Sequence, residues 1–220
     1  MPARIITIAN QKGGAGKTTI AMSIAGALAL RSTKVLVVDA DAQGTATQWA
    51  GSAPEAKPFI ATVISLAHAN GKLHQMIKPM VSDYDYIIID CPPSVNEQAS
   101  QSALLVSELC LVPLQPTPAD MWATVGIFEL VKKARTINPD LKAFAVANRV
   151  NSSNLNRQVM GVMEDNEIEL LKSRLGNRTS FQESTIRGTT PHHLGAAHKV
   201  AAAEIDALVI EVFEKMGWEL

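Results

Sequence analysis

The chain has only two cysteines in 220 residues. Cys91 and Cys110 stand 19 positions apart in apolar surroundings, which excludes a disulfide framework or a Cys-rich metal site and predicts reduced core thiols in a cytosolic protein. An excess of either charge is also missing: 20 Lys and Arg face 21 Asp and Glu, a formal net charge of −1. Attraction of the whole molecule to nucleic acid or to an acidic membrane is excluded, so a polyanion must be met by a local patch. No apolar run approaches the ~18 residues of a membrane span, and the N-terminus enters "RIITIA" without the charged and apolar regions of a secretion signal. Internal repeats and low-complexity linkers are absent. No Cys/His or Ser/His pair stands out for covalent catalysis, and His68, His74, His192, His193 and His198 lack metal-ligand context. The His192-His193 pair reads as a solvated turn.

What is present is 47% hydrophobic residues, enough for one large core, and the expectation is a single domain over residues 1–220. Short runs rich in β-branched residues recur: "RIITIA" (4–9), "KVLVVD" (34–39), "YIIID" (86–90), "LCLVPL" (109–114) and "KAFAVAN" (142–148). Being apolar on both faces, they read as buried parallel strands. Helical periodicity lies between them, at 18–30, 96–107 and 120–136. The alternation predicts an α/β fold: a doubly wound, mostly parallel sheet with helices on both faces. Residues 199–216 carry Ile205, Leu208, Val209, Val212, Phe213 and Met216 at one-face spacing, a covering helix. Residues 52–82 and 150–200 give no firm assignment.

Between the first strand and the first helix lies "NQKGGAGKTT" (10–19). Glycines there let backbone N–H groups turn inward, the helix N-terminus adds its dipole, and Lys17 neutralises β- and γ-phosphates while the Thr18 hydroxyl serves Mg²⁺. The loop predicts binding of a nucleoside triphosphate through Gly13, Gly14, Ala15, Gly16, Lys17, Thr18 and Thr19. It departs from the common G-x-x-x-x-G-K-[ST] pattern, because Gln11 holds the first glycine's place and an extra cation, Lys12, stands next to it. By itself Lys12 could be a solvated loop lysine.

The K-G-G-x-G-K-T pattern resembles the deviant Walker A box of the ParA/MinD family of ATPases, and the likeness extends over nearly the whole chain. The resemblance implies a P-loop NTPase fold and ATP with Mg²⁺ as cofactors. It implies that Lys12 reaches across a dimer to the partner's nucleotide, where two polyanions stacked face to face need added positive charge. "VVDADAQG" resembles the family's D-x-D-P-Q element with Ala42 in place of proline. Asp41 is then implied to orient or deprotonate the attacking water, and Asp39 to support the Mg²⁺ shell. "IIIDCPPS" resembles a Walker B strand whose Asp90 holds Mg²⁺ through water; a turn cap is its plain structural alternative. Asn148 is implied as a contact to the base, with Arg149 beside it, although Asn148 also suits a strand-end turn. "PLQPTPADM" resembles a family segment at the dimer interface or nucleotide, or is a rigid connection with Asp120 as N-cap.

In that family, ATP spends itself on dimerisation, which joins weak basic patches into a binder of nonspecific DNA. The cations of the last third are Arg157, Lys172, Arg174, Arg178, Arg187 and Lys199, and Arg178, Arg187 and Lys199 are the leading DNA contacts; any one of them could equally be a solvated charge. The implied partners are a second copy of the chain, DNA, and a ParB-like or other adaptor that stimulates hydrolysis, in the cytoplasm on the nucleoid. A membrane helix of the MinD kind is disfavoured by Glu214 and Glu219 in "VFEKMGWEL". The phosphate loop begins within a dozen residues of Met1, like the short stand-alone ParA forms. Segregation of plasmid or chromosomal DNA is the expected role. The alternatives are the positioning of a protein compartment or other cargo, and a small-molecule kinase or ligase on the same sheet.

Overall fold

The apolar runs form the centre of one sheet in the computed structural model, which describes residues 2–93, 98–115, 117–151 and 168–220. Strands β1 (Arg4–Ile8), β2 (Val35–Asp39), β3 (Thr62–Ser65), β4 (Tyr86–Asp90), β5 (Leu109–Leu114), β6 (Lys142–Val150) and β7 (Glu169–Gly176) lie in the order β3-β2-β4-β1-β5-β6-β7. Every pairing is parallel. Successive side chains of each central strand enter opposite layers. Ile5, Leu36, Val38, Ile87, Ile89, Cys110 and Val112 belong to one core; Ile6, Ile8, Val35, Val37, Ile88, Leu109 and Leu111 belong to the other. A strand buried on both sides must be apolar throughout, and that is how these were legible.

The described helices are α1 (Lys17–Ala29), α2 (Thr45–Gly51), α3 (Leu73–Ile77), α4 (Gln98–Leu104), α5 (Pro118–Arg135), α6 (Thr179–Ile186) and α7 (Lys199–Met216). The first core takes Leu73, Ile77, Ala103, Leu104, Ile127 and Val131 from α3, α4 and α5. The second takes Ile20, Ile24, Trp49, Phe181, Ile205, Val209 and Phe213 from α1, α2, α6 and α7. Both cysteines are free and buried, and burial pushes the Cys91 thiol up to about 12 and raises Cys110 as well. They are inert thiols. No described helix is long and apolar enough to cross a membrane.

The edge strands are the ones that periodicity did not reveal. β3 is four residues long and only half covered. β7 reads "ELLKSRLG", with exposed Glu169, Lys172 and Arg174. It is sealed by carboxylates of α7: Glu211 accepts the N–H groups of Lys172 (2.8 Å) and Ser173 (2.7 Å), and Glu204 accepts that of Gly176 (3.1 Å). Side-chain oxygens thus replace a neighbouring strand at an edge that would otherwise offer free donors.

Parallel register aligns the strands' C-terminal ends. Ile8 pairs with Asp90, and Asp39 pairs with Asp90. The chain leaving β1 therefore emerges beside both carboxylates, at the edge where open α/β sheets hold ligands.

Candidate functional site

The loop after β1 is built by backbone conformations that only glycine takes without strain. Gly14 (φ 75°) and Gly16 (φ 99°) are left-handed. At Gly16 space adds to the demand, since a Cβ would lie 1.9 Å from Asn148 Nδ2. Among the described residues nothing lies within 4 Å of a Cβ built on Gly13 or Gly14. Asn10 pins it to the sheet: its Nδ2 donates to the Pro113 carbonyl (2.6 Å) and its Oδ1 accepts the Lys12 N–H (3.1 Å). Lys17, 6% exposed, donates from Nζ to the Lys12 carbonyl (3.2 Å). Burial lowers its pKa against the pull of Asp90 and Asp41. Such a desolvated ammonium gains from an incoming polyanion.

Thr18 Oγ1 donates to Asp90 Oδ2 at 2.6 Å. The other oxygen, Oδ1, is buried with no hydrogen-bond partner among the described residues. Burial raises the Asp90 pKa to about 7, with Asp39 and Asp41 adding to the rise and the Thr18 hydroxyl and Lys17 opposing it. An orphaned carboxylate oxygen and a threonine hydroxyl beside the loop fit Mg²⁺, which Thr18 and Asp90 would hold. Bound there, the ion would supply positive charge against the phosphates.

The sign of the resulting pH dependence is fixed. A carboxyl whose pKa rises from 3.8 to about 7 on folding binds more protons in the native than in the unfolded state between those values. Its favourable contribution is fully present below about 3.8 and is lost as pH rises through 7, at most about 4 kcal/mol. In the nucleotide-free protein the melting temperature is therefore expected to carry a downward component between about pH 4 and 7 that Asp90→Asn removes. Identical pH profiles for the two proteins would refute the assignment.

The two acids after β2 have different surroundings. Asp39 is fully buried. Its Oδ1 accepts the Asp41 N–H (3.2 Å), and its Oδ2 accepts both the Thr47 N–H (2.8 Å) and the Thr47 hydroxyl (2.9 Å). Oδ1 is thus engaged by the Asp41 backbone and Oδ2 by the first turn of α2, so Asp39 anchors that helix beside the site. Asp41 accepts the Gln43 N–H (2.9 Å) and lines a cavity of about 250 Å³ with Gly14, Gly16, Lys17, Thr18, Thr19, Thr45, Pro93 and Arg149. Loop, acid and threonine converge there.

Lys12 is not a free loop cation. Its Nζ lies 2.5 Å from Oδ1 of Asp120, whose side chain is 7% exposed. The N-cap of α5 is Thr117 rather than Asp120. Thr117 Oγ1 accepts the Asp120 N–H (3.2 Å), and the Thr117 hydroxyl hydrogen-bonds the Asp120 carboxylate in return. Thr-x-x-Asp spacing was the sequence signal for this reciprocal cap.

A second cavity, about 270 Å³, adjoins the first and is lined by Thr19, Asn148, Arg149, Gly176, Asn177, Arg178, Phe181, Gln182 and Thr185. Asn148 is buried, with its Nδ2 donating to the Ala15 carbonyl (2.8 Å). It ties β6 to the phosphate loop and also faces this cavity. Arg149 is exposed, left-handed (φ 54°), and borders both cavities. Arg178 is ion-paired on its own chain. It forks onto Glu204 through Nε (2.9 Å) and Nη2 (2.5 Å), a bond that raises its pKa. Arg187 and Lys199 are exposed. Arg157 and Pro116 lie outside the described residues. Thr45, Thr47, Phe181 and Gln182 were not picked out by sequence, because each earns its place through a neighbour distant in the chain.

The profile of the CobQ/CobB/MinD/ParA nucleotide binding domain matches residues 6–191. The maintenance of carboxysome distribution protein A of Halothiobacillus neapolitanus is 30% identical over 208 residues, covering 94% of this chain and 95% of that protein. The chromosome partitioning protein ParA of Myxococcus xanthus is 30% identical over 181 residues, 63% of this chain and 62% of its own. Among solved structures, the ATP complex of a Cyanothece McdA variant superposes with a TM-score of 0.76 at 18% identity, covering 99% and 98% of the two chains. The cell division ATPase MinD of Pyrococcus furiosus gives 0.73 at 24% identity, covering 96% and 99%. The structures speak for the fold, and the profile and the full-length relative for descent: this chain belongs to the CobQ/CobB/MinD/ParA family of nucleotide-binding proteins.

Proposed function

We propose that the protein is a ParA-type positioning ATPase. ATP and Mg²⁺ occupy the adjoining cavities, two copies close around two nucleotides, and the dimer binds DNA without sequence preference until an adaptor stimulates hydrolysis. The observation that carries this reading is Lys12: a second lysine at the phosphate loop, held at the loop's rim by Asp120 and apart from Lys17, which already serves the nucleotide of its own chain. In the dimer its ammonium meets the partner's phosphates. Asp41 orients the attacking water and takes its proton, and Asn148 with Arg149 borders the base. The protein acts in the cytoplasm, on the nucleoid.

The relatives support two kinds of cargo. A carboxysome distribution protein matches over 95% of its length, which supports positioning of a protein compartment or similar body; the ParA relative supports DNA segregation. Mechanism and residues are the same for both.

Sedimentation with a non-hydrolysable ATP analogue tests dimerisation, and DNA retardation tests the surface. Arg187→Glu with Lys199→Glu is expected to weaken DNA binding at least about tenfold, with a shallower salt dependence, while the analogue-bound dimer persists. Single subunits at every concentration, or unchanged DNA affinity in the variant, would contradict the corresponding half of the proposal.

A further inference from the structure

A third cavity, of about 310 Å³, lies beyond the C-terminal ends of α2 and α6 and on the N-terminal side of β3. Pro58, Phe59, Ile60 and Leu194 give it apolar walls, and Lys57, Arg187 and His193 supply its ionisable groups. Among the described residues no carboxylate lines it. Glu55, in the same loop, lies outside the lining, and Asp206 is engaged by Arg31 and His192. Burial lowers the His193 pKa, and Lys57 and His192 push in the same direction. The apolar character continues past the rim: Ile186 is 75% exposed and Ile60 41%.

One wall of the cavity is gripped by helices that begin at the phosphate cavity. Thr190 packs under α1 so closely that a Cβ on Gly26 would lie 2.2 Å from its methyl group. Trp49 of α2 donates from Nε1 to the Thr189 carbonyl (2.9 Å). Gly188, left-handed at φ 58°, lies against the Ala53 backbone, where a Cβ would come within 2.1 Å of its nitrogen. α1 starts at Lys17 and α2 at Thr45, both of which line the phosphate cavity.

We propose that this cavity docks an acidic peptide segment of a partner protein, with a bulky apolar side chain in the pocket and carboxylates over Lys57 and Arg187, so that peptide and DNA compete for Arg187. A nucleic-acid backbone brings the charge without an apolar group to fill the walls, and a small anion leaves Ile186 and the outer face of Ile60 uncovered. Charge complementarity and apolar area together select a peptide. Transmission from this site to the phosphate loop through α1 and α2 rests on the nucleotide reading above; docking itself does not.

The test uses a labelled peptide alternating glutamate with phenylalanine and leucine, titrated against the full chain by fluorescence anisotropy. Two further peptides, one with lysine for glutamate and one with alanine for the apolar residues, serve as controls beside a short DNA duplex. Saturable binding of the acidic apolar peptide is expected, weakened at least about tenfold by Lys57→Glu and by Ile60→Asp, with amide shifts at Phe59 and Leu194 in the unaltered protein. Lys57 is exposed, so its reversal leaves the fold intact. Equal affinity for the alanine or lysine peptide, insensitivity to Lys57→Glu, or occupation of the pocket by the duplex alone would overturn the proposal. Lys17→Ala separates the two readings: peptide binding retained in that variant supports docking independently of the nucleotide, and its loss refutes that independence.

Discussion

Lys17→Ala is expected to lower the affinity for ATP at least about 100-fold, equivalent to about 2.7 kcal/mol, with the fold retained. The argument is electrostatic. Lys17 is almost fully buried at the start of α1, with the Lys12 carbonyl as the hydrogen-bond acceptor of its ammonium, so it loses hydration in the free protein and recovers it as charge-assisted bonds to phosphate. Alanine keeps the backbone amides and the helix dipole but removes the charge that opposes the triphosphate. Stability should not fall, because removal of a desolvated cation held by one carbonyl costs the native state little. Calorimetry with ATP measures the first expectation and thermal melting the second. Retained ATP affinity would remove the phosphate-loop assignment and everything built on it.

Asp41→Ala should separate binding from turnover. Hydrolysis is expected to fall about 10²- to 10⁴-fold, the range for loss of a general base, while ATP affinity stays within a small factor and the ATP-bound dimer accumulates. The structure gives a specific reason why this variant is clean. Among the described residues the Asp41 side chain accepts only the Gln43 N–H in its own turn, whereas the start of α2 hangs on Asp39 through Thr47. Asp39→Ala would loosen α2 and confuse folding with chemistry; Asp41→Ala leaves that anchor in place. Full turnover by the Asp41→Ala protein would move water activation to another group.

The buried centre of the sheet was readable because its strands carry their burial in contiguous residues. β4 and β5 match the runs at 86–90 and 109–114, and α7 matches the stripe at 199–216. β6 continues two residues past its apolar run, through Asn148 to Val150. The edges were not readable. β7 has polar residues at its exposed positions, and its donors are satisfied by Glu204 and Glu211 of a helix that follows it in sequence; nothing in "ELLKSRLG" announces that partner.

The site divides along the same line. Residues 12–19 carry their chemistry in the local backbone: left-handed glycines, a helix start and a lysine in register need no distant help, and the acids ending apolar strands had to reach the same sheet edge once the strands were parallel. The sequence alone therefore determined the glycine-rich loop, the arrival of Asp41 and Asp90 at one sheet edge, and the α/β architecture. Which polar groups share their charge was decided only in three dimensions. Lys12 lies on Asp120, Arg178 turns to Glu204, Asp39 serves Thr47, and Lys57 meets Arg187 and His193 around one cavity. Such pairings depend on the strand order β3-β2-β4-β1-β5-β6-β7 and on where each helix crosses it. Hydrophobic periodicity records that a face is buried but not which neighbour buries it, so only the folded chain could name the partners.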